Sequence, residues 1–277
     1  PEMIENYKKG ADTELYPDVN WLDAIRKNTA SNTRGDITVT GGSDILRYAL
    51  VASYYGERGL LVTDDTKAWD SSTRLNKYNL RSNVDINVTK TTVLGVSVGG
   101  YLQEMNGPST PDGDIWSYAF ETPPFVHPIQ YSGGRDVRVQ KRQNPWALLT
   151  QHGYKTTSQS KVESTFSLEQ DLKFITPGLK FKGTFSFDRY SASYVTRSRT
   201  PTYYNPASGR DEAGELILSV GTDGQEFLDT SNSADWGNKA TYLEGNITYD
   251  RTFNEKHAIN AMFLSLIHIS EPRDRSL

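Results

Sequence analysis

The sequence contains no cysteine, so neither a disulfide framework nor a thiolate metal site can be built from it. Its four histidines are scattered without a spaced pair of the zinc type, which leaves no metal site to predict. There is no large excess of either charge: 30 basic residues against 34 acidic ones give a net charge of -4, and no electrostatic case for nucleic acid as a partner. No stretch approaches the roughly 18 consecutive apolar residues of a membrane helix, although a membrane-spanning strand needs only about 9 to 11 residues with every second one apolar. The chain begins at Pro1 instead of Met, and no charged-then-apolar export signal follows, so N-terminal truncation is expected.

What the chain does have is 16 Tyr, 10 Phe, 5 Trp and 22 Gly within 277 residues of mean hydropathy -0.61. A polar chain rich in strand-favouring aromatics is expected to be all-β. From Gly35 onward one pattern repeats: a strand of alternating polarity, a tight turn, a second such strand, then a long polar connection. In the stretch 78–90, Tyr78, Leu80, Val84, Ile86 and Val88 alternate with Asn79, Arg81, Asn83, Asp85 and Asn87. The return strand places Leu94, Val96, Val98 and Leu102 opposite in parity to Gly95, Ser97, Gly99 and Tyr101. Val162, Phe166 and Leu168 alternate with charged and hydroxyl residues in the same way, and Pro177-Gly178 supplies the next turn. Beyond it come Phe181, Phe185 and Phe187, then Leu243 and Ile247, a turn at Asn254 to Lys256, and a return through Ile259 and Phe263. An opening pair runs through Ile37 to Thr40 and Leu46 to Tyr55 around Gly41-Gly42. Parity predicts that the apolar members of these strands form one continuous face.

Alternation alone is shared with soluble β-sandwiches. Two features favour a membrane barrel. Turns at Thr89 to Thr92, Phe174 to Gly178 and Asn254 to Lys256 are short, whereas the connections Glu57 to Arg74, Asn106 to Lys155 and Tyr194 to Asn238 are long, the asymmetry of periplasmic turns and extracellular loops. Tyrosines at positions 54, 55, 78, 101, 190 and 249 fall near strand ends, where interfacial girdles belong.

Catalytic motifs are scarce. Gly95-Val-Ser-Val-Gly-Gly100 places its serine within an alternating strand and not at a strand-to-helix turn. The carboxylates Glu163, Asp188 and Glu244 sit where polar residues recur on every strand, which reads as a hydrated wall and not as a paired acid and base. Asp64-Asp65 and Asp112-Gly-Asp114 lack the spacing of a dedicated calcium loop. The chain is therefore expected to be neither an enzyme nor a cofactor protein. Trp69, Trp116, Tyr118, Trp146, Tyr203, Tyr204 and Trp236 fall in the long connections, where ring faces can stack on a sugar or pack on a partner.

Ile37-Thr-Val-Thr-Gly-Gly-Ser-Asp44, with Arg47-Tyr48 and Ser53-Tyr54-Tyr55, resembles the first barrel hairpin of SusC/RagA-type, TonB-dependent transporters. Arg74-Leu-Asn-Lys-Tyr-Asn-Leu-Arg-Ser-Asn-Val-Asp-Ile-Asn-Val-Thr-Lys-Thr-Thr92 is similar to the second hairpin of that family. Asn144-Pro145, Gly153-Tyr154 and Gln170-Asp-Leu-Lys-Phe-Ile-Thr-Pro-Gly-Leu-Lys-Phe-Lys-Gly183 resemble the next. Tyr16-Pro-Asp-Val-Asn-Trp-Leu-Asp23 looks like the exit from a plug domain. The resemblance implies the first part of an incomplete antiparallel transmembrane β-barrel, roughly nine strands of a plugged wall of about 22. Residues 1–34 would close the plug and connect it to the barrel, and residues 35–263 would form the wall. It further implies a cell outer membrane location, import of oligosaccharide or peptide fragments, a SusD-like lipoprotein partner, and a TonB complex acting through a missing N-terminal region. A secreted carbohydrate-binding or adhesin domain is the alternative.

Leu264-Ser-Leu-Ile-His-Ile-Ser-Glu-Pro272 is what CTG TCT CTT ATA CAC ATC TCC GAG CCC encodes, a transposon-end sequencing adapter. Residues 264–277 are therefore expected to be a non-native tail.

Overall fold

A computed structural model describes residues 2–139 and 142–273. In chain order the elements are α1 (Glu2–Lys9), α2 (Trp21–Ile25), β1 (Ser31–Gly42), β2 (Leu46–Arg58), β3 (Arg74–Thr89), β4 (Thr92–Pro108), α3 (Asp112–Glu121) and β5 (Asp136–Val137). They continue with α4 (Pro145–Thr150), β6 (Gly153–Asp171), β7 (Leu179–Ser198), β8 (Tyr203–Tyr204), β9 (Val220–Thr222), β10 (Asp229–Phe253) and β11 (His257–Arg273). Among the described residues, no helix is long and apolar enough to cross a membrane, which says nothing of strands.

Eight strands form one sheet in the order β1-β2-β3-β4-β6-β7-β10-β11, each pair antiparallel and next to its neighbour in the chain. The sheet is open, with β1 and β11 at its edges. Eight strands replace the roughly nine expected. β1 begins at Ser31, ahead of the Gly35 boundary. Tight turns close the hairpins. Gly178 shows why one of them needs glycine: its φ is +88°, and a Cβ there would lie 2.1 Å from the carbonyl oxygen of Asp250. That close approach lets Asp250 donate its N–H to the Gly178 carbonyl at 2.9 Å, which fixes the turn against β10.

Register carries the parity argument across the whole sheet. Tyr48, Val84, Val96, Phe166, Phe185, Leu243 and Ile267 stand side by side on seven consecutive strands. Leu46, Ile86, Leu94 and Leu168 form the adjoining row, and Phe181, Ile247 and Phe263 continue the face on the last three strands. Leu80, Val98, Val162 and Phe187 lie on the same face, so the apolar members expected to share it do so apart from Val88, which falls at a register shift in the β3–β4 ladder; a one-residue slip in any pair would have turned a whole strand over. Phe166 and Phe185 stack across their strands with ring centroids 6.4 Å apart.

Among the described residues nothing packs against this face. Leu80, Val162 and Leu243 are each at least half exposed, and of the buried apolar side chains only Ala192 belongs to the eight-stranded sheet. A sandwich would bury that face under a second sheet. The three-stranded sheet β5-β8-β9 lies in the connections instead.

The core sits at one end, where residues 59–73, 109–152 and 199–228 connect strands. Trp21 and Ile25 of α2, Leu61, Ile115 and Ala119 of α3, and Leu148 and Leu149 of α4 form its main cluster. Asn144 caps α4, accepting the Ala147 N–H at 3.2 Å while donating to the carbonyls of Ile129 and Val137, and Pro145 opens the helix without needing a donor. The N-terminal segment joins the same layer: Arg210 pairs with Asp12 and Glu14 at 2.6 Å, and Val62 donates to the Ile25 carbonyl at 3.0 Å.

The connections are shorter than the sequence suggested, since hydrogen-bonded ladders continue past the last apolar residue. Trp236, expected in a connection, consequently lies in β10 opposite Ala192. Tyr55, Tyr101 and Tyr190 also need correcting: register puts all three on the polar face, so they cannot belong to an interfacial girdle. Tyr54 and Tyr78 do lie on the apolar face, directly opposed with ring centroids 5.2 Å apart, and Tyr249 shares that face.

Along β11 the alternation fails. Met262, Leu264 and Leu266 put three apolar side chains on the polar face, opposite Thr248, Asn246 and Glu244. Residues 274–277 lie outside the described residues.

Candidate functional site

The polar face of the sheet and the layer of connections beside it hold most of the polar and charged contacts among the described residues. On the polar face, Tyr101, Lys161, Tyr190 and Asn238 form one row, and Lys77, Gln103, Gln159, Ala192 and Trp236 the next toward the connections. Lys77 Nζ stands 4.6 Å over the Tyr101 ring, Lys155 Nζ stands 4.5 Å over Tyr194, and Tyr194 meets Trp236 edge-on at 6.1 Å. One row away, Arg81 reaches Glu163 at 3.2 Å and Lys161 also contacts it. Lys182 holds Glu169 at 2.6 Å further down. Glu163 and Asp188 are cross-strand neighbours, but Glu244 lies two polar rows away, opposite Thr184. Glu163 is committed to two cations, which gives an ion-paired wall and not an acid and base converging on one bond.

No family model matches the chain. The chain is 23% identical over 259 residues to TonB-dependent receptor P3 of Formosa agariphila and 24% identical over 255 residues to TonB-dependent receptor P26 of the same organism. Those alignments cover 90% and 91% of this chain, which spans 22% of the length of each relative. Among solved structures, the RagAB peptide importer matches with a TM-score of 0.57 in its closed-closed state and 0.58 in its open-open state, each at 14% identity over 93% of this chain. The chain covers 28% and 27% of those two chains. The fold is that of part of a RagA-like barrel. Its open sheet therefore corresponds to part of a barrel wall, and its two faces become an outer, apolar one and an inner, polar one.

In this barrel-wall frame the seven aromatics named from sequence are scattered. Trp116 and Tyr118 of α3 and Trp146 of α4 pack against the main core cluster. Trp69 lies in the β2–β3 connection beneath the guanidinium of Arg199, 5.0 Å from its ring centroid. Tyr203 is 1% exposed, with its hydroxyl 2.8 Å from His152 Nε2 and the Arg138 guanidinium 4.9 Å over its ring. Tyr204, next to it, is half-buried. Only Trp236 reaches the inner wall, beside Tyr194. Sequence reasoning missed Tyr190 and Tyr194 as inner-wall residues, and it counted Tyr101 in a girdle after parity had already set it opposite the apolar residues.

Buried ionisable groups knit the connections together. Asp136 accepts from Gln130 Nε2 at 2.8 Å, and burial pushes its carboxyl up to about 6 against the pull of Lys67 and Arg199. Burial pushes His152 down to about 4, assisted by the nearby Arg138 and Arg199 guanidiniums. Asp64 accepts from Gln151 and Thr66 at 2.7 and 2.6 Å and has Lys67 at 3.9 Å; these partners outweigh its burial and hold its carboxyl below the ordinary value.

The Asp136 and His152 shifts make opposed pH dependences. The raised Asp136 contributes stability that is complete below 3.8 and is lost as pH climbs through about 6. The lowered His152 contributes stability that is complete above 6.5 and is lost as pH falls through about 4. The two slopes offset between those limits. Asp136→Asn should therefore leave a layer that becomes more stable as pH rises from about 4 to 6.5, and His152→Gln one that becomes less stable between 3.8 and about 6. Hydrogen exchange of residues 109–152 in the folded protein, followed against pH, reads both; flat profiles in both variants would contradict the burial assigned to them.

Proposed function

We propose that this chain forms part of the barrel wall of an outer-membrane receptor that imports glycan or peptide fragments with energy supplied by a TonB complex, under a SusD-like lipoprotein lid. One observation carries the reading: an eight-stranded sheet exposes a broad apolar face that no element of the described residues covers, and lipid is the partner that such a face fits. The RagAB importer handles peptides; for this chain either fragment class fits a wall of tyrosines, amides and paired charges.

In this reading residues 35–263 supply the wall. Residues 1–34, expected to lead out of a plug, reach β1 by way of the layer of connections, where α2 packs with α3 and α4. They act there as a further loop on the same end. Residues 264–277 are foreign to the wall, a reading that Leu264 and Leu266 support by putting two apolar side chains on the inner face of β11. Of the seven aromatics, Trp236 is the one placed to meet cargo in the lumen. Trp69, Trp116, Tyr118, Trp146 and Tyr204 serve at the mouth, and Tyr203 serves as a buried post beneath them.

The test is fractionation and uptake with the complete gene product. The receptor should be extracted from the outer membrane only with detergent, and uptake of labelled fragments should stop when the lipoprotein or TonB is deleted. Recovery from the periplasm or medium without detergent would return the secreted carbohydrate-binding or adhesin domain to first place.

A further inference from the structure

The apolar face ends, toward the layer of connections, at a pair of cations that face each other. Arg189 of β7 and Lys239 of β10 are direct cross-strand partners on that face, one row beyond Phe187 and Ile269. Like charges directly opposite one another disfavour strand pairing, so the arrangement calls for a compensating anion. Arg189 has no ion pair among the described residues. Lys239 meets the Glu271 carboxylate at 2.8 Å, but Glu271 belongs to the stretch 264–277 proposed above to be foreign to the wall. The two cations, Asp235 and Glu271 line an open groove of about 480 Å³ that also takes in Phe187 and Ser191; with Glu271 set aside, Asp235 is the one carboxylate left among its described lining residues. Arg58 and Arg74 also face each other on the same side of the sheet, beyond the Tyr54 and Tyr78 pair, but there Arg74 is already paired with Asp70.

We propose that Arg189 and Lys239 form an outward-facing site for the phosphate of a membrane lipid headgroup, with its acyl chains lying along Phe187 and Phe185. The inference rests on the membrane-wall reading. At the border of an apolar band, long basic side chains keep their stems on the apolar surface and lift their charged ends to headgroup level. Arginine adds a planar fork that matches two phosphate oxygens. Placed there, the anion relieves the repulsion that the register imposes, and the aromatic below it meets hydrocarbon.

The complete receptor, stripped of lipid in a neutral detergent, should bind a phosphorylated glycolipid added in mixed micelles, counted by native mass spectrometry. R189Q/K239Q should weaken that binding by about thirtyfold, the effect of two basic residues at a headgroup surface. R189K/K239R, which keeps both charges, should bind far closer to the unsubstituted receptor. Without lipid, R189Q/K239Q should melt no lower than the parent, since it loses only a repulsion, and lipid should no longer raise its melting temperature. Equal binding by R189Q/K239Q, equal binding of the same glycolipid without its phosphate, or full displacement by inorganic phosphate alone would each overturn the proposal. Failure of the membrane-wall reading looks different: the unsubstituted receptor would then show no heat-modifiable barrel on gels, with or without lipid.

Discussion

Expressed alone, residues 1–277 should collect in inclusion bodies and resist refolding into detergent as a defined monomer. A barrel is stable in lipid because closure leaves no unpaired strand edge. Here β1 and β11 stand at the two ends of the sheet without pairing with each other, so each exposes a row of N–H and C=O groups. The apolar face adds a second liability, with Ile37 and Phe263 both 68% exposed near those edges. The buried core lies in the connections and cannot shield either. Removing residues 264–277 shortens β11 without giving it a neighbour, so the truncated chain should behave alike. Size-exclusion chromatography and denaturant unfolding of the refolded material are the readouts. A monodisperse, water-soluble product that unfolds cooperatively would overturn the membrane wall itself.

What is legible in the sequence is whatever a period of two controls. The row through Val84, Val96, Phe166, Phe185 and Leu243 follows from residue order alone, because a strand with lipid on one side and water on the other must alternate, and the same parity identifies Ser97 and Asn83 as inner-face residues. Strand ends are less legible. β10 runs for 25 residues, well past the roughly 9 to 11 that span a bilayer, and its first part, Asp229 to Trp236, is held by backbone pairing with β7 that leaves no apolar signature. That is why Trp236 reads as a loop residue. Tyr55, Tyr101 and Tyr190 mislead for a different reason: nearness to a strand end suggests a girdle, when their parity already contradicts it. The layer of connections is illegible altogether, since the contacts of Asp136, His152 and Arg199 join segments distant in sequence and follow no period.

Val96→Arg and Ser97→Arg should differ sharply although the two positions are adjacent. Val96 lies in the longest apolar row, between Val84 and Phe166, which meets lipid in the proposed barrel. An arginine there should cost about 2 to 4 kcal/mol if the row sits near the bilayer midplane, falling toward zero nearer an interface. Ser97 points to the inner face, where its Oγ donates to Asn83 Oδ1 at 2.7 Å. Replacing it forfeits one exposed hydrogen bond, about 1 kcal/mol or less, and leaves the new guanidinium in water. Denaturant titration of the complete receptor in lipid bilayers separates the two, because the first variant loses stability through lipid and the second barely through the wall. The same experiment with Phe166→Arg, one strand over in the same row, should repeat the larger loss. Equal costs at positions 96 and 97 would mean that the register is one residue out, and with it every assignment of inner and outer residues from β2 to β11.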